Sequence, residues 1–82
     1  MADETFDIVV MCFGPLADEL GFKESVIRIS DVSTPRNIII QLNAERWIKA
    51  GIKVALDGEF VNIDSEIKQS CELALLPPVS GG

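Results

Sequence analysis

The chain has 82 residues, enough for one domain that buries roughly 60% of its unfolded surface and hardly enough for a deep pocket as well. Nearly half of it is apolar and a quarter charged, with no histidine, which removes the usual general base, proton shuttle and commonest metal ligand. A net charge of −6 with only seven Lys and Arg leaves no basic patch for nucleic acid or an anionic membrane, and suits either a basic protein partner or simple solubility.

The opening MADET lacks the basic and apolar regions of a signal peptide. The longest apolar runs also fall well short of the ~20 residues that cross a bilayer. The expectation is a soluble, cytoplasmic protein. Asp7 to Phe13, DIVVMCF, is a short, β-branched apolar run and reads as a central strand. PLADELG follows as one or two helical turns, with Pro15 at the first helical position and Gly21 as the stop. ESVIRISDV alternates, with Ile27 and Ile29 on one face, as a half-buried strand does.

Ser33 or Thr34 before Pro35 marks a helix start and Gly51 a stop. Ile38, Ile39 and Leu42 form one apolar stripe, whereas Ile40, Trp47 and Ile48 fall on the other side. Either the helix breaks near Asn43 or it is covered on two sides. KVALDGEFVNI is a hairpin, because Asp57-Gly58 suits the positive φ values of a two-residue turn. DSEIKQS is a polar connection anchored by Ile67. CELALLP is a last strand, with Leu73 and Leu75 facing one way and Ala74 and Leu76 the other. Cys12 and Cys71, each in an apolar run, are expected as buried free thiols rather than a bridge. The order of elements fits an α+β roll, a single mixed sheet packed on one helix.

The tail, LPPVSGG, has no place in that roll. Pro77 and Pro78 donate no backbone hydrogen bond and hold φ near −65°, so the sheet ends there and the chain leaves stiff and extended. Residues 77–82 span about 20 Å at ~3.3–3.6 Å each. Gly81 and Gly82 pass through a channel that any side chain would block, and an α-carboxylate there is ionised in the cell. A carboxylate becomes an electrophile only after activation. The chain has no phosphate-binding glycine motif, so a partner must activate it.

A last strand reading ELALLPPVSGG resembles the small subunit of molybdopterin synthase, in the MoaD family of sulfur-carrier proteins. The likeness extends over most of the chain, through the first strand ending in Phe13, the turn to Gly21, the helix from Thr34 and the VALDGEFV hairpin. KQSCE stands where family members usually carry an acidic-glycine turn. The resemblance implies the ubiquitin-like β-grasp fold, a mixed sheet of about five strands on one main helix. Residues 1–76 would form the domain, with a flexible leader over 1–6, and 77–82 the extended tail.

It also implies a carrier rather than an enzyme, binding no cofactor itself. An adenylating enzyme related to ubiquitin-activating enzymes would use ATP to join the Gly82 carboxylate to AMP. A sulfur donor, a sulfurtransferase or desulfurase, would convert it to a thiocarboxylate. The large subunit of molybdopterin synthase would take that sulfur into the dithiolene of the molybdenum cofactor. Gly82 would carry the reacting atom and Gly81 provide clearance, while Pro77, Pro78, Val79 and Ser80 set reach and direction. Family partners dock on the outer sheet face, for which alternation nominates Phe13, Phe60 and Leu76; Val10, Cys12, Leu73 and Leu75 then face the core. Met11 is read as a gap-filler and left out.

The alternative is a ubiquitin-like modifier whose activated Gly82 is attacked by a substrate lysine. A thiazole-synthesis carrier is disfavoured by the PPV before the tail. An interaction module with an inert tail is a further rival. A stand-alone enzyme ranks last, since Asp18, Glu19, Asp64 and Glu66 read as helix-start and surface charges and nothing converges on a site.

Overall fold

The computed structural model describes residues 5–78. Capping chemistry sets the start of the main helix, and a left-handed residue closes each helical segment. Thr34 holds an extended backbone, and its Oγ1 accepts from the Asn37 N–H at 3.1 Å, with Pro35 as the first helical residue of α1, Pro35–Gln41. A helical segment precedes it in the chain, Gly14–Leu20 (α0 in chain order before α1), and ends on Gly21 at φ 83°. The break near Asn43 is real. Asn43 has φ 61°, its N–H donates to the Ile40 carbonyl at 2.9 Å, and the Ala44 N–H reaches back to Ile39 at 3.0 Å. That pair of bonds is a Schellman closure with Asn in the left-handed position usually held by Gly. A separate helix, α2, Arg46–Ala50, ends on Gly51 at φ 98° with the same pair of bonds. Of the two arrangements the sequence allows, the break holds, and Ile40 is left exposed while Trp47 and Ile48 pack against the core.

Five strands form the sheet: β1 Phe6–Cys12, β2 Glu24–Ile29, β3 Lys53–Leu56, β4 Glu59–Val61 and β5 Cys71–Leu76. β1 starts one residue before the expected run, inside the predicted leader, because Phe6 pairs with Ile29. It ends at Cys12, since Phe13 becomes the residue before α0. The strand order is β2-β1-β5-β3-β4, with β5 parallel to β1 and antiparallel to β3. Asp57 and Gly58 turn the β3–β4 hairpin at φ 49° and 88°, as the sequence predicts.

One sheet face carries the core: Ile8, Val10 and Cys12 of β1, Leu73 and Leu75 of β5 and Val54 of β3 close on Leu16, Ile38, Ile39 and Ala44. The polar connection before β5 is tied to the start of α1. Ser33 and Ile67 exchange backbone hydrogen bonds of 3.3 and 2.8 Å, and the buried Ile67 anchors the loop. The Arg36 guanidinium grips Asp64 through two contacts, of 2.7 and 3.1 Å, which hold its carboxyl below the usual carboxylate range. Both cysteines are free thiols. Cys12 is buried and Cys71 half-buried, and burial pushes both thiols up, which leaves them poor nucleophiles. No helix among the described residues is long and apolar enough to cross a membrane.

Candidate functional site: the outer sheet face and the root of the tail

Among the described residues no element covers the sheet face opposite the helices, and its register assembles the side chains row by row. One row runs Glu24, Met11, Ala74, Ala55, Phe60 across all five strands. Phe60 is 72% exposed at its end. The next row toward the tail pairs Leu76 with Lys53, and Phe13 continues the alternation of β1 on that side with an extended backbone at φ −132° and ψ 151°. Phe13 is 42% exposed and Leu76 half-buried. An open cleft along β4, lined by Ile52, Lys53, Phe60 and Ile63, adjoins these rows.

The three nominated residues thus lie on one face, but they do not touch as a cluster by themselves. Phe60 and Leu76 sit on strands separated by β3. Ala55 of β3 lies between them, and Ala74 and Met11 continue the row away from Phe60. These small or flexible residues keep the centre low, so a partner can approach the backbone closely. Met11, left out of the nominated patch, stands on the same face. Its face follows from alternation next to the buried Cys12, but its position beside Ala74 requires the β1–β5 register. Charges stand at the margin: Glu24, Glu72 and Lys53, with the Arg28–Asp7 pair at 2.9 Å beyond.

The tail root is built by topology. β1 leaves the sheet at the same end as its parallel neighbour β5, and the antiparallel β3 enters there. Gly14 after β1 and Gly51 before β3 therefore flank the chain as it departs. A Cβ on Gly14 would stand 3.7 Å from Pro77 Cγ, and one on Gly51 would stand 3.9 Å from Pro78 Cβ. Both glycines hold positive φ, 59° and 98°, which side chains rarely adopt. The two prolines are half-buried between them. Val79, Ser80, Gly81 and Gly82 lie outside the described residues.

A family model described as the ThiS family matches residues 10–82, from the first strand through the tail. The chain belongs to the ThiS family. The ThiS/MoaD proteins are β-grasp sulfur carriers, and the five-strand mixed sheet with helices on one face is the β-grasp fold. Solved structures agree on the fold. Molybdopterin converting factor subunit 1 from Pyrococcus furiosus is 21% identical, with a TM-score of 0.73 over 90% of this chain and 99% of that one. Small archaeal modifier protein 1 from Methanosarcina acetivorans is 20% identical, with a TM-score of 0.72 over 96% and 99%. The Haloferax volcanii HVO 2177 protein is 22% identical, with a TM-score of 0.80 over 100% and 94%. A search of curated proteins found no match.

ThiS-family carriers are non-catalytic, and the family implies an adenylating partner related to ubiquitin-activating enzymes. Asp64 pairs with Arg36, Glu66 with Lys68 and Glu19 with Arg46, each in an exposed surface ion pair. Arg46 also lies over the Trp47 ring, 5.7 Å from its centroid.

Proposed function

We propose that the chain is the sulfur-carrying subunit of a molybdopterin synthase-type complex. A ubiquitin-activating-like enzyme attacks ATP with the Gly82 carboxylate, releasing pyrophosphate and leaving the acyl-adenylate. The persulfide of a sulfur donor, a sulfurtransferase or desulfurase, displaces AMP to give an acyl disulfide. Attack of a second thiol on the donor-side sulfur releases the thiocarboxylate and leaves a disulfide as the oxidised product. That sulfur is a better nucleophile than the oxygen it replaces, and the large subunit of molybdopterin synthase uses it to build the dithiolene. The outer face, centred on Met11, Ala74 and Ala55 and bordered by Phe60, Phe13 and Leu76, is the docking surface for these partners. Pro77 and Pro78, lodged between Gly14 and Gly51, set the direction in which Val79 to Gly82 leave.

The observation supporting this reading is the family match that runs through the tail to residue 82. The alternative, conjugation through Gly82 to substrate lysines, begins with the same adenylate, and the fold likeness to archaeal modifiers keeps it in view. Mass spectrometry of the chain from its own cells separates them. A C-terminus with one oxygen exchanged for sulfur is the expected result. Gly-Gly remnants on cellular lysines with no thiocarboxylate would replace the carrier with a modifier.

Phe60→Arg tests the docking face. Exposed aromatic anchors are worth about 2 kcal/mol or more at an interface, over tenfold in affinity. Calorimetry should show binding to the adenylating enzyme weakened by at least that factor. The melting temperature should hardly move, since surface substitutions stay within about 0.5 kcal/mol. Unchanged affinity would remove Phe60 from the interface.

A further inference from the structure

β2 is the last strand on its side of the sheet, and its free edge can be read residue by residue. The Cys12 N–H donates to the Lys23 carbonyl at 2.9 Å, and from there the register runs Met11 with Glu24 through Phe6 with Ile29. Residues in an antiparallel ladder alternate between facing their partner strand and facing away. Ser25, Ile27 and Ile29 therefore spend their backbone groups on β1, whereas Glu24, Val26 and Arg28 direct theirs outward. Among the described residues no strand takes them up. The same three residues expose their side chains on the outer face, Val26 to 59%. An apolar residue between two opposite charges on an unpaired edge is a complementary surface for its own antiparallel copy.

We propose that two copies of this chain pair β2 to β2 about a two-fold axis at Val26, joining their sheets into one. Symmetry and the outward backbone groups leave few registers. An axis at Glu24 or Arg28 sets like charges face to face. An axis at Ser25 or Ile27 sets a charge against Val26 and leaves one outward residue beyond the ladder. At Val26 all three outward residues engage. Val26 meets Val26 of the second copy, and Glu24 meets Arg28 of the second copy on both sides of the axis. Each of these pairs exchanges two backbone hydrogen bonds. Asp7 already holds Arg28 Nε at 2.9 Å, which keeps the guanidinium on this face with further donors for the incoming carboxylate. Phe60 and the tail root lie across the sheet from this edge, so pairing leaves them free.

Sedimentation equilibrium of the full chain tests the proposal. The mass should rise from 8.9 kDa toward twice that value as concentration climbs from about micromolar to about millimolar, the range spanned by weak and transient interfaces. Glu24→Arg or Arg28→Glu alone sets like charges opposite each other twice and should weaken association about tenfold. The double exchange should return it to within about threefold. Val26→Cys should form a disulfide between copies at position 26, because directly opposed Cα atoms fall within bridging distance, and Arg28→Cys should not. A chain that stays at 8.9 kDa throughout overturns the proposal. So does a dimer indifferent to the charge substitutions, or one that cross-links equally at positions 26 and 28.

Discussion

Deleting Gly82, or adding one residue beyond it, is expected to reduce thiocarboxylate formation at least a hundredfold while leaving the melting temperature unchanged. Either change moves the terminal carboxylate by about 3.3–3.6 Å along the chain. A misplacement of about 1 Å at a reacting centre already costs about a hundredfold. The activating phosphate and the sulfur nucleophile meet the carbon wherever the partner's site holds it, and the chain has no other group to compensate. Stability should not respond, because the sheet ends at Leu76 and the core lies behind it. Mass spectrometry after incubation with the adenylating enzyme and sulfur donor reads the loaded fraction. Full loading of either variant would remove Gly82 from the mechanism.

Leu73→Ala should act in the opposite way, through stability. Leu73 is fully buried on the central strand, paired with Val10 of β1 and Leu56 of β3 on the core face. Large-to-small substitutions at such sites cost about 2–5 kcal/mol, because the transfer energy is lost and a cavity remains. A chain of 82 residues has roughly 4–12 kcal/mol in total at ~0.05–0.15 per residue. The melting temperature should fall by at least about 10 °C in a circular dichroism scan. Because β5 runs directly into Pro77, loosening it also frees the tail root from its place between Gly14 and Gly51. A loss of less than about 1 kcal/mol would mean that the core collapses around the missing side chain.

Several parts of this fold were legible because the interactions that decide them span only a few residues. Thr34 before Pro35 starts a helix by satisfying its own first amide groups, and Asp57-Gly58 turns a hairpin by supplying two positive φ values. Alternation along β5 separates the buried Leu73 and Leu75 from the half-buried Ala74 and Leu76. The nominated Phe13, Phe60 and Leu76 lie on the outer face by the same rule, applied strand by strand. The place of Met11 between Glu24 and Ala74 is not legible in the sequence, because both neighbours stand on other strands. The sequence alone does not decide the helix break, because Asn takes the left-handed conformation less readily than Gly, and burial of Ala44 beside Ile39 selects it here.

The sequence by itself determined the α+β class, the turns and caps, the face each strand buries and a glycine tail with no local role. Each of these follows from steric and hydrogen-bonding preferences acting within a few residues, or from a period of two. Only the tertiary structure decided the parallel pairing of β1 with β5, the flanking of Pro77 and Pro78 by Gly14 and Gly51, and the free edge of β2. Those depend on which apolar faces can be buried together at once, and pairings between residues distant in the chain leave no signature in either segment alone.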